Sequence, residues 1–278
     1  MGEKLYHYTS LEKALNFILP TKKLRLSSIV RTNDPRETQD WYPSIRLTQD
    51  MNDERVNELM DELKITFNTE KKKAKLICFS QDHNDKEWGD DTNAFSLELR
   101  KGYFRFRMWA NYADNHSGIC LEFDKDILIS SIKNELEGMG KLYSGSVTYT
   151  NYSAVQHYRA TSFDSNEINT YGLTSVINKH LEESFKHIFF EKLYDWRDEA
   201  EFRILHIPKD HDEEVYVNIG NSLTNIYVGA NYDNSKDMEL ETVKENGQYP
   251  LLDELKQIRF RNSTPFITPL VLRSNVIE

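Results

Sequence analysis

Cysteine is nearly absent, with only Cys78 and Cys120 among 278 residues. Two thiols cannot form a disulfide framework or a four-thiolate zinc site. Each lies in an apolar stretch, LICFS or GICLEF, where cysteine reads as a small buried hydrophobe. No run approaches 18 consecutive apolar residues, as a membrane-spanning helix requires. The opening MGEKLYHYTS has no apolar core of a secretory signal, and Tyr6 stands where myristoylation needs Ser or Thr. A cytoplasmic protein without a membrane partner is therefore expected. Positive charge is also in short supply: 35 Lys and Arg face 45 Asp and Glu, a formal charge of -10. An extensive duplex-DNA surface is not expected from that balance. Arg100, Lys101, Arg105 and Arg107 make a local basic ribbon, read as the polar face of a strand carrying Phe104 and Phe106. Neither a clear G-x-G-x-x-G nor an H-E-x-x-H spacing occurs, so the Rossmann fingerprint and the metalloprotease zinc motif are missing.

What is present suffices for a core. Leu, Ile, Val and Phe make up about a quarter of the chain and aromatics 12%, above the level at which a charged chain stays disordered. EKLYHYT (3–9), KLRLSS (23–28), LICFS, GICLEF, SVTYTNY (146–152), AEFRILHI, VYVNI and NIYVG read as strands. AFSLEL and YFRFRMW alternate in the same way. Ser10 is placed to cap a helix over LEKALNFIL that stops at Pro20. Val56, Leu59, Met60, Leu63 and Phe67 fall at helical spacing over 51–67, with EKKKAK (70–75) as a solvated connection. NDPRE (33–37) and 81–94 read as loops. A helix from Asp124, a long helix over about 171–193, a helix near 251–257 and strands around 258–261 and 266–272 complete the reading. Strands open and close the chain with helices grouped between them, which predicts one α+β domain over 1–278 and not regular βαβ.

Chemistry concentrates in DWRDEAEFRIL (195–205). Strand alternation puts Ala200, Phe202 and Ile204 on one face and Glu199, Glu201 and Arg203 on the other. Solvated strand faces look like this too, but Glu is depleted in strands and like charges at that spacing need compensation. A carboxylate pair can serve glycosidic substitution, one group stabilising an oxocarbenium-like state while the other handles an acceptor proton. In LYHYTS, Leu5, His7 and Thr9 share a face. His7 reads either as a satisfied structural group or as a neutral hydrogen-bonding or acid–base residue. Trp109 and Tyr112, three apart, read as core or as a platform for a ring. His116, in the turn DNHSG beside them, is a weaker candidate. Asn33, Asp34, Arg36 and Glu37 share one loop.

YHYTS, NDPRE, CFS (78–80), MWANYADNHSGICLEFD (108–124) and WRDEAEFRIL follow one another as they do in a widespread bacterial family that carries only a domain-of-unknown-function label. The likeness is weakest over about 38–74, 81–105 and 206–278. The same skeleton distantly resembles the ADP-ribosyltransferase superfamily, including toxin-type members that modify DNA. That resemblance implies a split, mixed or antiparallel β-sheet with flanking helices, NAD as substrate, a macromolecular acceptor, and a setting in toxin action or anti-phage defence. It also implies Glu201 as catalytic carboxylate with Glu199 as its partner. His7 would be catalytic and would bind the NAD ribose, with Thr9 beside it, Trp109 or Tyr112 would stack on nicotinamide, and Arg203 would engage phosphates or the acceptor. Two other readings stay open. One is a Mg²⁺-dependent nuclease or hydrolase using Asp34, Glu37, Glu199 and Glu201; the other is a non-catalytic nucleotide-sensing or interaction module.

Overall fold

A computed structural model describes residues 2–47, 52–83, 97, 99–151, 161–209, 214–247, 255–261 and 268–273. The chain is a mixed α+β protein built on a ten-stranded, mainly antiparallel sheet. Its strands are β1 (Lys4–Thr9), β2 (Lys23–Ser28), β4 (Lys75–Gln81), β5 (Ile119–Asp124), β6 (Gly140–Ser146), β10 (Glu201–Pro208), β11 (Val215–Asn218), β12 (Leu223–Val228), β13 (Leu255–Arg261) and β14 (Thr268–Arg273). Two short parallel pairs lie outside it: β3 (Ser44–Arg46) with β8 (Ser162–Asp164), and β7 (Thr148–Thr150) with β9 (Glu191–Leu193).

The sheet divides at β4. One edge of β4 pairs along its length with β10, from Ser80 opposite Glu201 to Lys75 opposite His206. The other edge is shared. Its C-terminal end takes β1, with Leu5 opposite Gln81 and Tyr6 opposite Ser80. Its N-terminal end takes β2, with Ser27 opposite Leu76 and Ser28 opposite Lys75. Between these contacts Ile77, Cys78 and Phe79 have no strand partner on that edge, and β1 and β2 part there.

Side-chain parity gives the two sheet faces different coverings. Leu5, Leu24, Ile77, Phe79, Leu121 and Ile204 pack on one face, beneath the helical run 11–21, α3 (Lys125–Glu135) and α7 (Asp237–Gly247). Ser10 caps the first of these runs, accepting from the Lys13 amide. The opposite face carries two separate apolar clusters. In one, Leu76 and Leu205 meet α1 (Asp53–Lys72), α4 (Ser165–Tyr171), α5 (Leu173–Glu183) and α6 (Phe185–Phe189). In the other, Tyr6, Tyr8, Cys120 and Tyr227 meet α2 (Phe106–Tyr112). Buried charged side chains fill the space between them.

Several expected elements change type. FRMW is helical and not a strand, because Trp109 and Ala113 come onto one helical face to pack with Tyr8. The basic ribbon dissolves accordingly: Arg100 and Arg105 are buried, Lys101 pairs with Asp82, and Arg107 pairs with Asp198. EKK ends α1 and is not part of a connection. The long helix over 171–193 breaks into α5 and α6 at Ser184, and Glu191–Leu193 is extended because it pairs with β7. In the helix expected at 251–257, Leu255–Gln257 are strand, paired in parallel with β12, and 251–254 lie outside the described residues. Most of 81–94 and of AFSLEL also lies outside them. Helix α7 has no counterpart among the expected elements.

Candidate functional site

A cavity of about 200 Å³ opens where β1 and β2 part over β4. His7 lines it from β1, Arg25 and Ser27 from β2, Arg31 and Asn33 from the following turn, Cys78 from β4 and Tyr112 from α2. Lys192, Glu199 and Glu201 close the far wall. By register His7 belongs to the opposite sheet face from Glu201, since Tyr6, Ser80 and Glu201 lie side by side. The gap in the sheet lets both reach one space.

Glu201 is the most heavily bonded of these groups. Its Oε1 accepts from Arg203 Nε at 2.5 Å, and its Oε2 accepts from Arg203 Nη2 at 3.1 Å and meets Lys192 Nζ at 2.7 Å. Its backbone N–H donates to the Tyr149 hydroxyl at 2.8 Å, and the Cys78 thiol also bonds its carboxylate. Burial opposes ionisation, but Arg203 and Lys192 outweigh it and hold the carboxyl at about 2. Glu201 is therefore ionised at neutral pH.

Glu199 reaches the same ammonium by another route. It ends a 3-10 turn (Tyr194–Glu199), and Ala200 follows in the left-handed region with φ 42°. Strict alternation through Glu199 is thus broken by a backbone reversal, although the two carboxylates still converge. Lys192 Nζ donates to Glu199 Oε2 at 2.7 Å, the Tyr112 hydroxyl donates to Oε1 at 2.9 Å, and the Ser80 hydroxyl donates to its carbonyl at 2.8 Å. Desolvation, reinforced by the Glu201 charge, raises the Glu199 carboxyl above its ordinary value. Two neighbouring carboxyls are thereby pushed in opposite directions, the pattern that separates an ionised stabiliser from a proton carrier.

His7 is held in a defined form. Its Nδ1–H donates to the Cys78 carbonyl at 3.1 Å, within the unpaired stretch of β4. Burial lowers its pKa, so the ring is neutral and Nε2 is left as an acceptor.

The other expected residues are placed differently. Arg203 is wholly buried and its donors are committed to Glu201, Glu37 and the Phe189 carbonyl. Trp109 packs edge-on against Tyr8 at 5.1 Å and donates Nε1–H to the Tyr103 carbonyl, so it belongs to the core and not to the cavity wall. Thr9 is buried in the β1–β5 pairing, opposite Ile119. His116 sits in a left-handed turn docked against Gly229. The four acidic residues of the metal reading do not share one site: Asp34 caps the turn Pro35–Thr38, Glu37 pairs with Arg203, and Glu199 and Glu201, which do converge, share the Lys192 ammonium. Among the described residues no group of three or more His, Cys, Asp or Glu is arranged to hold a metal ion.

Residues 108–204 match the model of a family described as protein of unknown function (DUF2971). No curated protein and no solved structure matches the chain. The family match includes Tyr112, Tyr149, Lys192, Glu199, Glu201 and Arg203, while His7 and the 33–37 loop precede it. Sequence reading missed Lys192, Tyr149 and Cys78 as members of this cluster. The charged pair Glu191–Lys192, set among aromatic residues in FFEKLY, was the available signal for the first. The other two carry none, because a Tyr in a strand and a Cys in LICFS are ordinary core residues.

Proposed function

We propose that the protein is an NAD-dependent glycosyl-transferring enzyme of the ADP-ribosyltransferase kind. The convergence of His7, Tyr112, Glu199 and Glu201 on one cavity at the sheet division carries this reading. Breaking the nicotinamide–ribose bond sends the bonding electrons to the ring nitrogen and leaves positive charge on C1′ and the ribose oxygen. An ionised carboxylate favours that transition state over the ground state, and Glu201 takes this role. An acceptor hydroxyl or amine, or water, then bonds to C1′ and gives its proton to Glu199. The neutral His7 Nε2 accepts from a ribose hydroxyl, and the half-buried Tyr112 ring faces the departing heterocycle. Arg25 and Arg31 meet the phosphates, in place of the fully committed Arg203. At about 200 Å³ the cavity is below the roughly 300–1,000 Å³ of sites that enclose a drug-sized ligand. It therefore takes the nicotinamide riboside end, with the remainder of the molecule toward the arginine wall.

A second reading has its own support. Both oxygens of Glu201 are already bonded to cations, as suits a rigid nucleotide-sensing wall that never reacts. Nicotinamide release from NAD, followed in the wild type and in Glu201→Gln, Glu199→Gln and His7→Gln with folding verified by circular dichroism, separates the two. Release that falls by about 100-fold or more in the folded carboxylate variants supports transfer chemistry, since positioned acid–base groups contribute roughly 10²–10⁴-fold. Saturable NAD binding without release selects the sensing module. Release unchanged in folded Glu201→Gln overturns the catalytic assignment.

A further inference from the structure

Between Glu199 and Glu201 lies one ammonium. Lys192 Nζ is 2.7 Å from an oxygen of each, which holds those oxygens no farther apart than twice that distance. Side-chain parity on β9 places it there. Lys192 pairs with Tyr149 of β7 and points at the carboxylates, while the neighbouring Glu191 turns the other way, to His187 and Arg36. The Trp196 ring, 5.2 Å from Nζ, covers the ammonium from the 3-10 turn, and only 6% of the Lys192 side chain is exposed. The same β7–β9 pair thus grips Glu201 twice, through Lys192 at its carboxylate and through the Tyr149 hydroxyl at its backbone.

We propose that Lys192 is a positioning residue that clamps Glu199 and Glu201 at bonding distance of one cation and so allows both carboxylates to be ionised together. The role rests on the glycosyl-transfer reading for its catalytic consequence, though not for its electrostatics. Without the ammonium, two carboxylates this close cannot both ionise. Glu201 would keep Arg203 of its own strand, whereas among the described residues Glu199 would keep only the Tyr112 hydroxyl from α2 as a donor to its carboxylate. The remaining groups around the clamp are Glu37, reached through Arg203, the Cys78 thiol on β4 and the Tyr149 hydroxyl on β7. Of these only Glu37 is charged, and its negative charge cannot replace the lost cation. The proton therefore stays on Glu199 to a higher pH. With the lysine present, Glu199 releases its proton at a lower pH than it would without that charge.

Lys192→Met tests this, since it keeps the stem and removes the charge. The carboxyl ¹³C signals of ligand-free protein, assigned with Glu199→Gln and Glu201→Gln, are titrated together with the pH profile of nicotinamide release. The expected result is an upward move of the Glu199 titration by about 1–3 units, the size of one neighbouring opposite charge. The acid limb of kcat/KM moves by the same amount, and Lys192→Arg restores most of both. An unchanged Glu199 titration in folded Lys192→Met overturns the proposal. Should Lys192→Met not fold, the wild-type ¹⁵Nζ signal of Lys192 decides: a shift at the Glu199 midpoint supports the clamp, and no response there overturns it. A moved titration in a protein that releases no nicotinamide leaves the clamp standing and removes only the transferase reading.

Discussion

Arg203 folds back onto Glu201, two residues earlier on the same strand, in a bidentate pair with Nε to Oε1 at 2.5 Å and Nη2 to Oε2 at 3.1 Å. Residues i and i+2 of a strand share a face, so β10 alone brings them together. Its remaining donors tie β10 to α6 through the Phe189 carbonyl and to the 33–37 loop through Glu37. Arg203→Met strands two buried carboxylates, and removing one partner of a buried pair costs about 3–5 kcal/mol. Urea unfolding of the variant is expected to show a loss of that size. Arg203→Lys is expected to recover only part of it, because an ammonium cannot reproduce the bidentate fork. A loss below about 1 kcal/mol would show that the pair does not hold the division of the sheet together.

Acid lability follows from the histidines before the carboxylates. Burial lowers the pKa of His7 and of His206, and lowers that of His83 to about 4. A base with a depressed folded-state pKa binds fewer protons when folded than when unfolded. Its stabilisation is therefore present above the unfolded value, near 6.5, and is lost as pH falls below it. Glu201, depressed to about 2, adds a second loss of the same sign that begins only near the ordinary carboxyl value and runs down toward pH 2. Melting temperature measured from pH 7.5 to 3.5 is expected to fall in the upper window already, and His7→Gln is expected to flatten that part of the curve. A variant as pH-sensitive as the wild type between pH 6.5 and 4.5 contradicts the assignment of His7 as a buried neutral ring.

The strands of the main sheet were largely legible, because β1, β2, β4, β5, β10, β11 and β12 carry runs of β-formers or alternating patterns that report on their own side chains. Alternation also placed Glu201 and Arg203 on one face. It failed at Glu199, where Ala200 at φ 42° reverses the chain and no glycine marks the reversal. FRMW misled for a different reason: its alternation is real, but Trp109 finds its partner, Tyr8, only through a helical face. The division of β4 between two strands is a matter of long-range pairing, and no local pattern records it. Lys192 stayed hidden because the adjacent Glu191–Lys192 pair in FFEKLY gives no sign of what either side chain meets.

Trp109 and Tyr112, one turn apart on α2, separate by function under mutation. Trp109 is buried beside Tyr8, and Trp109→Ala is expected to lose about 3–5 kcal/mol. Trp109→Phe keeps most of the packing and, on the proposed transferase reading, is expected to leave the KM for NAD unchanged. Tyr112→Phe removes one hydrogen bond to Glu199, a cost of about 0.5–3 kcal/mol including the charged acceptor. On the same proposed reading its greater effect is expected on nicotinamide release, because a donor to the Glu199 carboxylate is lost and the raised carboxyl moves further up. Steady-state kinetics paired with thermal melts check both, and a Trp109→Phe variant with a raised KM would return Trp109 to the binding wall.

The turn at 114–116 offers a gain of stability. Asp114, Asn115 and His116 lie in succession at φ 44°, 55° and 72°, a left-handed run that costs L-residues roughly 1–2 kcal/mol each, least for Asp and Asn. Docking fixes it there: the His116 amide donates to the Trp109 carbonyl, the Asn231 amide donates to the His116 carbonyl, and a Cβ on Gly229 would lie 2.1 Å from that same carbonyl oxygen. Glycine at 116 removes the side-chain strain and returns part of the gain as unfolded-state entropy. His116→Gly is expected to stabilise by about 0.5–1 kcal/mol, a rise of roughly 1–3 °C for a chain of this size, and Asn115→Gly by less. Gly229→Ala is expected to act in the opposite sense, since the carbonyl it meets is fixed backbone. A lower melting temperature for His116→Gly than for the wild type would mean that the imidazole contributes more to the turn than its conformation costs.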